Sequence, residues 1–162
     1  MTDPAWQESV RWGRPRPGHP EGSVLAHIGD VLGNVEAFYS VSSLCPTLRL
    51  IALLHDSFKH RQIPGGPGHG MLARRFAEAY IADHGVLDVI EWHDEAYKAW
   101  RLMMGDGDRA AAERRAAALI AALGTHLELF MAFYHCDVYT GDKTDEHYRW
   151  FAQRRAAFGP AK

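Results

Sequence analysis

Six ionisable side chains stand where the helical period calls for apolar ones. Residues three, four and seven apart share a helix face. On that spacing His27 falls among Val24, Ile28 and Val31, His55 follows Leu48, Ile51 and Ala52, and Asp56 follows Ala52 and Leu53. His69 lines up with Leu72, Ala73 and Phe76, His93 with Val86, Val89 and Ile90, and Asp137 with Phe130, Phe133 and Tyr134. A single histidine on an apolar face is most often a core residue hydrogen-bonded to a carbonyl. Six such groups from five helices would each need a separate buried partner, because burying an unpaired charge is costly. A shared polyvalent cation satisfies them together. Neutral imidazole mixed with carboxylate suits Mn, Fe, Co, Ni or Zn, held between the facing helices of a bundle.

In order along the chain these residues read H…HD…H…H…D, with His55 and Asp56 adjacent at the end of an apolar helix and Lys59 three positions on. This arrangement resembles the HD-domain superfamily in its HDxxK variant, over about residues 20 to 142. The approach "HPEGSV" to His27 also resembles the HD domains of bacterial tRNA nucleotidyltransferases. The resemblance implies an all-α fold, one or two divalent metals and hydrolysis of phosphate esters. It assigns His27, His55, Asp56 and Asp137 to a first metal, with Asp56 bridging to a second held by His69 and His93. Two ions roughly 3.5–4 Å apart can share a hydroxide nucleophile and stabilise both the attacking and the leaving oxygen. Lys59 would neutralise charge on the phosphoryl group, or else serve as a solvated cation at a helix C-terminus.

Other signals fall around this set. Arg61, Arg74 and Arg75 are candidate phosphate contacts, being close in sequence to His55 and His69. "GGPGHG" lacks the Lys-Ser/Thr ending of a nucleotide-binding loop and no strand precedes it. It reads instead as a surface loop or a flap beside His69. His19, His84, His126, His135 and His147 lack inward placement and read as structural. Asp94 and Glu91 are candidate acceptors for the ligating imidazoles. Asp142 and Asp145 rival Asp137 for the last ligand, and the apolar face before "TGDK" favours Asp137.

The elements that must position these groups are helical. Four of the eight prolines lie in residues 1 to 22, so an extended N-terminal arm is expected, pinned by Trp6 and Trp12. From Ser23 on, helical runs are expected at about 23–41, 46–58, 69–84, 86–104, 109–140 and 145–157, with Gly124 able to divide the fifth. Residues 23–162 then form one compact all-α bundle, the HD domain of the resemblance.

At 162 residues and 47% hydrophobic, the chain has material for one real core. A formal net charge of −2 gives no basic excess for stable nucleic-acid binding. The start "MTDPAWQESV" has no signal-peptide pattern, and no stretch is expected to reach the roughly 20 apolar residues of a bilayer span. No membrane association and a cytoplasmic location are therefore expected. Cys45 and Cys136 sit in apolar helical patterns and read as small hydrophobes. The expected function is a metal-dependent phosphohydrolase acting on a small phosphate ester such as a nucleotide. Two alternatives stand beside it: a mixed-valent di-iron oxygenase of HD type that cleaves a carbon bond, and a non-catalytic ligand-binding domain that keeps the metal as structure. Oligomeric state is open, a homo-oligomer included.

Overall fold

The computed structural model describes residues 2–105 and 107–158. Among the described residues nine α-helices follow in order: α1 (Pro4–Val10), α2 (Val24–Tyr39), α3 (Cys45–Leu54), α4 (His69–Ala77), α5 (His84–Trp92), α6 (Glu95–Gly105), α7 (Arg109–Leu123), α8 (Leu127–Val138) and α9 (Glu146–Phe158). Among the described residues there is no strand, and two isolated bridges, Gly13 with Ser23 and Arg16 with His19, pin the arm. The chain is an all-α bundle.

Helix starts follow cap chemistry. Asp3, Ser23, Asp83 and Asp108 each accept a main-chain N–H two or three residues on, satisfying donors that have no partner within the helix. α8 is the central rod, touching α2, α3, α5, α7 and α9. Phe130, Phe133 and Tyr134 are fully or almost fully buried on it, against Leu48, Ile51 and Leu54 of α3 and Val89 and Ile90 of α5. The site helices α2, α3 and α5 are thus held against one apolar post.

Four expectations change. The arm is not extended throughout, because Pro4 at the first helical turn and the Asp3 cap permit α1, which buries Trp6 and Val10 while Trp12 stays half exposed. The run from 86 to 104 divides at His93 and Asp94 into α5 and α6, and the run from 69 to 84 stops at Ala77. Asp83 opens the next helix as the cap of α5. Finally, Arg109–Val138 is long and apolar enough by composition to cross a membrane. It is broken at Gly124 by a 3-10 turn, and 56% of its most apolar window is buried inside the bundle, so here it serves as two core helices.

Candidate metal centre

α3 delivers His55 and Asp56 by stopping at the right place. His55 is its C-cap, and Phe58 adopts a left-handed backbone at φ 62°, which ends the helix and turns the chain back. Phe58 is 7% exposed and packs edge-on against Phe76 of α4 at 4.9 Å, so the core holds a conformation that costs a bulky residue about 1–2 kcal/mol. The turn brings the Lys59 ammonium to Asp56, donating to Oδ2 at 2.8 Å.

α4 and α5 deliver the other pair. Gly70 lies so close to α5 that a Cβ there would stand 2.1 Å from the Glu91 carbonyl oxygen. That approach sets His69, the first residue of α4, against His93, the C-cap of α5, with their Nε2 atoms 3.1 Å apart. On the other side of Asp56, the Nε2 atoms of His27 (α2) and His55 face each other at 3.3 Å, and His27 Nε2 is 2.9 Å from Asp137 Oδ1 (α8). Asp56 sits between the pairs. Its Oδ1 is 3.5 Å from both His69 and His93 Nε2, and its Oδ2 is 3.9 Å from His55 Nε2.

The protons show which atoms face the cluster. His55 Nδ1 donates to the Ala52 carbonyl at 3.0 Å and His93 Nδ1 to the Ile90 carbonyl at 2.8 Å. When neutral, each ring therefore turns an Nε2 lone pair inward, towards another imidazole nitrogen and a carboxylate. Asp56 Oδ1 is buried and has no hydrogen-bond partner. A cation shared by such converging lone pairs would satisfy them together. Two ligand atoms about 2.1 Å from one ion and about 90–109° apart lie about 3.0–3.4 Å from each other, a range that holds the 3.3 Å and 3.1 Å of the two imidazole pairs, while the contacts of Asp56, at 3.5 and 3.9 Å, are longer. His27, His55 and Asp56 form one group that could hold a metal ion, and Asp56, His69 and His93 form a second.

Burial decides the charges. It pushes the His55 imidazolium down to about 3, with the charges of His93 and His27 adding to the effect and Asp56 opposing. His69 falls to about 4, through burial first and His93 second. His93 is also desolvated, but the Asp56 carboxylate facing its Nε2 and the charges of Asp94 and Asp137 outweigh this and raise it. Burial alone would raise Asp56, yet Lys59, His55 and His93 hold it well below the usual carboxylate range. Asp137 is likewise held low by Lys143 and His27 against its own burial.

The cluster opens into a cavity of about 390 Å³. Lys59, Lys143 and His19 stand at its polar end, and Tyr97, Trp100, Tyr134 and His147 form an aromatic wall. Tyr134 Oη lies 2.5 Å from His147 Nδ1. Burial raises the phenol and lowers the imidazole, so the hydroxyl donates and His147 keeps its proton on Nε2.

No family model, curated protein or solved structure matches this chain.

All six residues anticipated as ligands meet in one place. The arginines do not join them: none of Arg61, Arg74 and Arg75 lines the cavity. Arg61 stacks on Phe58 at 4.7 Å, and Arg74 is neutralised by Asp88, Glu91 and Glu78. Arg75 lines a separate groove with Pro67 and Gly68 of the expected flap, which is exposed and leaves the cavity to His69. Though close in sequence to the cluster, Arg61 lies on the turn after α3 and Arg74 faces α5. Asp94 does approach a ligand, 3.6 Å from His69 Nε2, whereas Glu91 is engaged by Arg74. Asp142 and Asp145 are occupied by the Gly18 N–H and by Tyr139 and Arg149. His135 packs between Tyr39 and Tyr139, away from the cluster. His19 and His147, expected to be structural, line the cavity, and Glu21 and Lys143 back the ligands. They come from the arm and the α8–α9 connection, where no period marks an inward face. Adjacency to a proline-rich arm or a Gly-Asp turn was their one sequence signal.

Proposed function

We propose that this chain is a metal-dependent phosphohydrolase of HD type acting on a small phosphate ester, in which His27, His55, Asp56 and Asp137 would hold one divalent ion and Asp56, His69 and His93 a second. The observation that carries the reading is the pair of converging imidazole couples, His27 with His55 and His69 with His93, on either side of one carboxylate. Asp137 completes the first group through its 2.9 Å contact with His27 Nε2. When bound, the ions supply Lewis acidity and a water-derived nucleophile at neutral pH.

The chain supplies the rest. Lys59 and Lys143, each paired with a carboxylate and each lining the cavity, offer N–H donors and positive charge to a phosphoryl group that gains negative charge as it is attacked. His19 lies at the same polar end. The aromatic wall gives the organic part of the ester an apolar surface and keeps competing water out. In the reaction an oxygen from water bonds to phosphorus, the P–O ester bond breaks, and a water proton ends on the departing alcohol. Asp94, cavity-facing and held ionised because the charges of His93 and His69 outweigh its burial, is placed to take the proton from water.

The test is metal analysis of protein purified without added metal, followed by phosphate release over nucleotides and phosphomonoesters, with oxygen uptake followed in parallel. Two ions per chain and metal-dependent phosphate release are expected. Oxygen consumption without phosphate release would replace the hydrolase with the di-iron oxygenase reading, and absence of bound metal would overturn both.

A further inference from the structure

The arm before α2 places a carboxylate behind the first imidazole pair. Glu21 has a side chain only 8% exposed, with Oε1 2.9 Å from His19 Nδ1 and 3.4 Å from His27 Nδ1. Both Glu21 Oε2 and His27 Nδ1 are buried without a hydrogen-bond partner. A histidine that gives its Nε2 lone pair to a cation must carry its ring proton on Nδ1, and that proton needs an acceptor. His55 and His93 find theirs in the carbonyls of Ala52 and Ile90. For His27 the group in front of Nδ1 is Glu21. On the reading that this cluster holds metal, we propose that Glu21 is a positioning residue: it accepts the Nδ1 proton of His27, fixes the tautomer and ring orientation that the first ion requires, and so makes the arm part of that site.

The arm is anchored for this role. The Gly18 N–H donates to Asp142 Oδ1 at 2.9 Å. Gly141, at φ +61°, sits so close that a Cβ there would meet Pro20 Cδ at 2.8 Å. The connection that Gly18 and Pro20 grip also carries Lys143, whose ammonium lies 3.3 Å from Asp137 Oδ1. One clip between arm and connection therefore holds the groups behind two ligands of the first ion, His27 and Asp137. Glu21 has no such contact with His69 or His93, so its influence is confined to the first site.

The experiment is a Co²⁺ titration of the full chain against a competing chelator, read by the visible spectrum of the bound ion, with thermal unfolding measured alongside. Glu21→Ala is expected to weaken the tighter-coupled first site about 10- to 100-fold, the range for losing an outer partner of a ligating histidine, and to leave the second unchanged. Glu21→Gln keeps an oxygen acceptor and loses less. His19→Ala removes the rival donor for Oε1 and costs no affinity. Wild-type affinity at both sites in Glu21→Ala overturns the proposal. So does equal weakening of both sites with a lower unfolding temperature, which would mark a general structural role, and so does complete loss of the first ion, which would make Glu21 itself a ligand. A wild-type chain that takes up no Co²⁺ instead removes the metal reading on which the proposal stands, an outcome no Glu21 variant can imitate.

Discussion

Gly70→Ala tests whether the second histidine pair is set by backbone packing. The new Cβ would begin 2.1 Å from the Glu91 carbonyl oxygen, and real Cβ contacts essentially never fall below 3.0 Å. The atom it meets is main chain and cannot rotate away, so α4 and α5 must part locally by about 0.9 Å, the difference between those two distances. His69 is the residue next to Gly70, and His93 lies two beyond Glu91. The 3.1 Å separation of their Nε2 atoms would widen by a comparable amount, beyond the roughly 0.5 Å within which a site must be held. Overpacking of this kind costs about 1–3 kcal/mol. At about 2–4 °C per kcal/mol for a chain of this size, the unfolding temperature should fall by about 2–12 °C. Metal titration should show second-site affinity reduced while the site on His27, His55 and Asp137 is kept. A Gly70→Ala protein that binds two ions with parental affinity and unfolds at the parental temperature would refute the argument that this contact positions the pair.

His55→Ala and Asp56→Asn should lose first-site metal and turnover while far-ultraviolet circular dichroism stays helical; wild-type turnover in either would displace the central assignment. The double variant His69→Ala with His93→Ala should fall from two bound ions to one and lose most activity, as measured by metal analysis and phosphate release. Protein stripped of metal should lose stability as pH falls from about 6.5 towards 4. His55 and His69, lowered mainly by burial to about 3 and about 4, stay neutral when folded but protonate when unfolded below their ordinary value of 6.5. Two such groups give a slope of about 2.7 kcal/mol per pH unit, while His93, raised when folded, is protonated in both states across that window. Urea midpoints that are flat or rise between pH 6.5 and 4.5 would contradict this.

The helices and the inward-facing His and Asp residues were legible because both rest on the same period. His27, His93 and Asp137 declare themselves by occupying positions that Val31, Ile90 and Phe133 show to be inward. Boundaries were less legible where side chains end a helix by tertiary contact. His93 closes α5 by hydrogen-bonding to Ile90, a stop that no Gly or Pro announces. Asp3 starts α1 within a stretch whose prolines argue for extended chain. The substrate end was hardest to read. Arg74 sits five residues after His69 and so turns to the other side of α4, whereas Lys143 and His147 reach the cavity from a connection and a helix of weak period. Closeness in sequence is a poor guide there, since convergence depends on how the helices pack.

His55 and His93 are C-caps, and Asp137 lies in the last turn of its helix. Three helices, α3, α5 and α8, therefore direct their carbonyl ends at the cluster, while α2 and α4 meet it through their first turns, at His27 and His69. Each carbonyl end carries roughly half an elementary negative charge and each amino end a similar positive one. The main-chain dipoles around the cluster therefore largely offset one another. The charge of this spot is then set by its side chains, Asp56 and Asp137 above all, and neutralising either carboxylate would change it in a way that the direction of the chain does not compensate.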